Sequence, residues 1–129
     1  MKLSAKEIEI MSAKPNKDRY VYFIKRIVDS ELLWVLDDGG FALSGDDSGN
    51  DMLMLWPARE YAEACIAEGW VNYKAKEIKL SYLMNNLLPD LSEKKIGIGV
   101  FMVPSTSDTP IISADSLLTD LKNECRKYN

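Results

Sequence analysis

An α+β domain is the fold class this sequence predicts, and three observations carry the prediction. Residues 32–36, 52–56 and 96–103 are short apolar runs with the length and composition of strands. Tyr20, Phe23, Ile24, Ile27 and Val28 recur at i, i+3, i+4, i+7 and i+8, the stripe of an amphipathic helix. Turn formers fall between such segments, as in Asp37-Asp38-Gly39-Gly40 and Gly45-Asp46-Asp47-Ser48-Gly49-Asn50. The expected architecture is one domain over residues 1–129, a central and mostly antiparallel sheet of about five or six short strands packed by about five helices.

Each element has a local reason. Ser4 and Glu7 match the S-x-x-E capping box, which opens a short helix running to about Lys14. Lys14-Pro15 breaks it, and Asn16 is placed to cap the next helix, whose polar side carries Lys17, Arg19, Lys25 and Arg26 against Asp18 and Asp29. Residues 32–36 form a strand, the Asp-Asp-Gly-Gly turn follows, and residues 41–44 return as the second arm of a hairpin. Residues 52–56 are apolar throughout, as in a strand covered on both faces, and Pro57 suits the first position of a helix. In that helix Tyr61, Ala62, Cys65 and Ile66 face inward, Arg59 and Glu63 can pair, and Gly69 ends it so that Trp70 folds back.

Residues 71–73 read as a brief strand and 74–79 as a polar connection. Ser81 caps a helix closed by Pro89, with Leu83, Met84, Leu87 and Leu88 inward. In the run Ile96-Gly97-Ile98-Gly99-Val100, the two glycines suit a central strand that a neighbour approaches closely. Pro110-Ile111-Ile112 is a short edge strand that could pair across a homodimer; the chain is otherwise a monomer. Ser113 caps a final helix with Leu117, Leu118, Leu121, Cys125 and Tyr128 on its core side.

Composition removes several functions. With 129 residues and 47% hydrophobic content, the core needs neither metal nor disulfide. A net charge of −4, without clusters of Lys or Arg, argues against nucleic acid and anionic membranes as partners. The charged residues Lys2, Lys6, Glu7 and Glu9 interrupt the opening segment where a signal peptide needs an apolar one, so the expected location is the cytoplasm. Cys65 and Cys125 lie in apolar registers and are read as reduced, buried thiols. The chain has no histidine, which excludes His-based triads and the commonest zinc ligand. The glycines fit neither phosphate-binding pattern, so no cofactor is implied.

The combination of Arg19-Tyr20 with Phe23-Ile24, Trp34, Gly40-Phe41-Ala42-Leu43, Leu55-Trp56-Pro57 with Glu60-Tyr61-Ala62, Trp70, Leu88-Pro89-x-Leu91 and Val100-Phe101 resembles the bacterial domain-of-unknown-function family 2750. The resemblance runs from about Arg19 to Tyr128, and L-W-P-x-x-E-Y-A is its most specific part. It implies a small, stand-alone cytoplasmic protein with no assigned activity and no functional residues to carry over.

The acidic stretch between Asp37 and Asp51 holds the candidate binding residues Asp38, Asp46, Asp47 and Asp51. Asp46, Ser48 and Asn50 imitate the start of a calcium loop, but Asp51 takes the glycine position and Pro57 the place of the bidentate Glu. A solvated turn is the plainest reading, and an acidic patch for a partner is the other. Arg19, beside Tyr20, is a further candidate binding residue expected on the exposed face, its plainer reading being a solvated charge. Trp34 and Trp56, on neighbouring strands, read as core packing rather than a ligand cage, and Met52, Met54 and Met84 as gap fillers. Two functions follow. The first is a non-catalytic interaction module whose acidic loop and sheet edge meet a protein partner with a basic surface. The second is a carboxylate-based or divalent-metal-dependent binding protein or hydrolase around Asp38, Asp46 and Asp47.

Overall fold

The computed structural model describes residues 3–45, 50–104 and 108–128. The chain runs α1 (Ala5–Ser12), α2 (Asn16–Ser30), β1 (Leu32–Asp37), β2 (Leu43–Gly45), β3 (Asp51–Leu55), α3 (Arg59–Ala64) and β4 (Lys74–Lys79). It continues through α4 (Leu80–Tyr82), a π-helical segment Leu83–Leu87, α5 (Leu88–Lys94), β5 (Gly97–Val100), β6 (Ile111–Ile112) and α6 (Ala114–Cys125). This is α+β, as expected, but the strands form two sheets instead of one central sheet. β1 and β4 make an antiparallel ribbon, while β2-β3-β5-β6 form a mixed sheet in which β3 and β5 run parallel. The tryptophans stitch the two together: Trp34 and Trp56 exchange backbone hydrogen bonds, each 2.9 Å.

β3 is the spine of the larger sheet. Its apolar run buries Met52, Leu53, Met54 and Leu55 on both faces, which accounts for the absence of alternation. Against it lies β5, where a Cβ on Gly99 would come within 2.7 Å of the Met54 Sδ. Glycine permits that close approach, as the run indicates, and any larger residue would have to displace the end of the Met54 side chain. β6 closes that side as a two-residue edge, and Ser113 caps α6 by accepting from the Ser116 N–H at 3.1 Å. A single cluster of buried side chains joins both sheets to α2 and α6.

Several local expectations are corrected. Phe41 does bridge Asp37, and the Ala42 N–H bonds to the Leu36 carbonyl at 2.8 Å, but the Ala42 carbonyl accepts from Met54 and β2 pairs with β3. The return arm of the hairpin therefore changes sheets after two residues. β4 occupies residues expected to be a connection, and 71–73 form the turn before it. β4 is the wetter strand of its ribbon: only Ile78 of Lys-Ala-Lys-Glu-Ile-Lys is buried, so the apolar signal disappears.

The helix boundaries also move. Pro15 stands at the N-cap position of α2, and Asn16 is its first residue. Ala58 is the N-cap of α3, which leaves Pro57 before it. Pro89 does not close its helix. It falls in the first turn of α5, where its missing N–H costs little, and the wider π segment precedes it. Gly69 does end the 3-10 turn Ile66–Glu68 with φ 122°, and Trp70 packs edge-on against Trp56 at 6.1 Å.

Candidate functional site

α2 carries Arg19, Tyr22 and Arg26 at i, i+3 and i+7, one stripe of the helix beside its apolar face. The stripe passes from the interior to the surface. Arg19 was expected on the wet side; instead it is 2% exposed. Its Nε donates to the Phe101 carbonyl at 3.2 Å, its Nη1 to the Lys14 carbonyl at 2.8 Å, and its Nη2 to Asn16 Oδ1 at 2.8 Å and the Asp108 carbonyl at 2.7 Å. Burial lowers the pKa of this guanidinium, and the charge of Asp108 opposes the shift. A planar fork with five donors suits this place better than any apolar side chain, because carbonyls converge there from three parts of the chain. Periodicity alone assigned Arg19 to solvent, since two of its four acceptors, Phe101 and Asp108, are remote in sequence.

Those acceptors sit where β5 ends. Phe101 has φ 55°, a left-handed conformation that costs energy for a bulky residue, and it is held from several sides. Its carbonyl takes the Arg19 bond. The next carbonyl, of Met102, accepts from Trp56 Nε1 at 2.9 Å and from the Cys65 thiol at 3.2 Å. Burial pushes that thiol up to about 11, so Cys65 is a poor nucleophile at neutral pH, in line with the structural role expected for it. Cys125 is only partly buried.

Farther along the stripe the chemistry changes. Tyr22 Oη donates to Glu7 Oε2 at 2.9 Å, and Arg26 Nη1 lies 3.3 Å from the same hydroxyl and 3.8 Å from the same carboxylate oxygen. The Tyr61 hydroxyl is 3.5 Å from that of Tyr22. Burial raises the pKa of both phenols. Glu7 raises that of Tyr22 further, while the contact with Tyr61 and the charge of Arg26 lower it. Sequence reading missed this group, having assigned Glu7 to the capping box. Only half of that box forms: Ser4 Oγ accepts from the Glu7 N–H at 3.1 Å, and the Glu7 carboxylate goes to Tyr22. The i,i+4 spacing of Tyr22 and Arg26 was the available signal.

Next to Arg26 opens a groove of about 610 Å³, lined by Trp34, Pro57, Arg59, Glu63 and Glu77 among others. The Arg59 guanidinium stands 4.8 Å above the Trp34 ring, a cation–π contact in place of the expected pair with Glu63.

Of the acidic residues, Asp38 and Asp51 are exposed, and β2 separates them. Asp51 lies opposite Gly45, whereas Asp38 is in the turn before Phe41. Asp46 and Asp47 lie outside the described residues. Among the described residues no group of three or more His, Cys, Asp or Glu is arranged to hold a metal ion.

The family described as "Protein of unknown function (DUF2750)" matches residues 20–121. The chain belongs to this family. The match takes in both sheets together with Tyr22, Arg26, Tyr61 and Phe101, while α1 and Arg19 precede it. DUF2750 carries no assigned activity. No curated protein matches the chain. Among the described residues no helix is long and apolar enough to cross a membrane.

Proposed function

We propose that this DUF2750 chain is a non-catalytic protein-interaction module, and that its contact surface is the edge strand β2 with the acidic residues that flank it. The observation that supports this reading is the β2 edge itself. β2 is an outermost strand of the mixed sheet, Leu43 on it is 43% exposed, and Asp51 is exposed opposite its last residue. Such an edge offers unpaired backbone groups to an extended segment, and carboxylates beside it favour Lys and Arg on that segment. The partner is therefore a protein with a basic surface. Asp46 and Asp47, which follow β2 in the chain, belong to the proposed surface by sequence, with Asp38 at the far end of the strand. The proposal includes a bacterial, cytoplasmic setting and a monomer or homodimer, the latter by way of β6.

The test is capture from the native cytoplasm at low and moderate salt. It compares the wild type with the Asp46→Asn, Asp47→Asn double variant and with Leu43→Pro, which removes an edge donor. A basic protein retained by the wild type, released as salt rises and lost from both variants is the expected result. Retention by both variants with unchanged salt dependence ends the proposal.

A further inference from the structure

We infer that Arg26, Tyr22 and Tyr61 form a carboxylate-binding site which the chain fills with its own Glu7, so that α1 is a displaceable occupant. The receiving side is rigid. Tyr61 is 1% exposed and its ring lies 4.6 Å from that of Phe101, while Tyr22 packs on Phe101 at 5.7 Å and edge-on to Tyr61 at 6.1 Å. The hydroxyls are thereby fixed by the core. Tyr22 has one proton, which goes to Glu7, so the contact between the phenols is completed by the Tyr61 proton pointing at Tyr22. With Arg26 alongside, one oxygen of Glu7 meets a polarised hydroxyl and a guanidinium, the donor set that recognises carboxylates.

The occupant, by contrast, is lightly held. No residue of α1 is buried. Leu3, Ile8 and Met11 rest on the core only in part, and just ahead of the helix the Leu3 N–H bonds to Glu60 Oε2 at 3.2 Å. The side chains of Glu7 and Arg26 remain 42% and 29% exposed, so an incoming carboxylate has access. Arg26 also lines the groove that holds Trp34, Arg59, Glu60, Glu63 and Glu77, so the site opens onto a solvent-filled space. The site shares no residue with the β2 edge, so either idea can fail without the other.

The experiment uses the full chain and follows the Tyr22 and Arg26 amides by NMR during titration with glutarate and, separately, with a capped peptide of the α1 sequence. Four forms are compared: wild type, Glu7→Gln, Glu7→Gln with Ile8→Ser to loosen α1 further, and Glu7→Gln with Arg26→Met. The expected result is binding at least about tenfold tighter in a Glu7→Gln form than in the wild type, because the internal competitor is gone, and loss of that gain with Arg26→Met. Hydrogen exchange at residues 5–12 should rise as ligand binds. Binding of glutarate identifies a small acid as sufficient, and binding of the peptide alone identifies an acidic protein segment. Equal affinity in the wild type and both Glu7 variants, or undiminished affinity with Arg26→Met, overturns the inference.

Discussion

Arg19 and Arg26 occupy the same stripe of α2, about two helical turns apart, yet they live in different solvents. Arg19 is sealed among four oxygen acceptors contributed by Lys14, Asn16, Phe101 and Asp108. Arg26 is part exposed and faces one carboxylate on a helix with no buried residue. Where water is excluded, each lost donor leaves an acceptor with no substitute. Where water is present, it replaces a lost partner at small cost. The first arginine is therefore a structural clasp at the end of β5, and the second is a contact that can be exchanged.

The largest test of that contrast is Arg19→Met, which removes all four bonds, including those to the Phe101 and Asp108 carbonyls. It should cost about 3 kcal/mol or more and lower Tm by about 10 °C in a thermal melt. A loss under about 1 kcal/mol would mean that water reaches those carbonyls, and the contrast would collapse.

Alkali should strain the same clasped region through Cys65. In the folded chain its thiol stands near 11, against 9.0 for the unperturbed group. Between those values the unfolded chain has lost a proton that the folded chain keeps, so this contribution is intact below pH 9 and is lost as the pH climbs toward 11. Melting curves from pH 8 upward should therefore fall more steeply for the wild type than for Cys65→Ala. Parallel curves would show that the thiol is not shielded by burial.

Trp56→Phe keeps an aromatic ring, though a smaller one, and deletes the Nε1 donor, leaving the Met102 carbonyl with the weaker thiol alone. Denaturant titration should report a loss of about 1–2 kcal/mol. Smallest of all is Glu7→Gln, for which urea unfolding should shift by less than about 1 kcal/mol, since it breaks a part-exposed contact. A larger loss would move Glu7 into the same class as Arg19.

Much of this architecture was readable wherever local physics sufficed. The glycine in β5 announced close packing, and Ser113 and Ser4 both cap the helices they precede. β3 was visible as an apolar run because both of its faces are covered. β4 was not, because it buries only Ile78, and Lys, Ala and Glu fill its other positions. Phe41 and Ala42 announced a hairpin correctly as far as they touch β1; the transfer of β2 to β3 depends on Met54, which no turn residue encodes. The carboxylate cluster was hidden for a related reason. Glu7, Tyr22, Arg26 and Tyr61 come from three helices, and each has an ordinary local role.

By itself, then, the sequence determined the α+β class, the caps, the inward stripe of α2 and the strands with covered faces, because periodicity and hydrogen bonding between near neighbours act over a few residues. Its likeness to DUF2750 was also present in the residues alone. Only the tertiary structure decided that the strands divide into two sheets and that Arg19 is interior while Arg26 is not. The reason is desolvation. Burying a guanidinium is favourable only where acceptors are already assembled, and two of those for Arg19 come from residues 82 and 89 positions away.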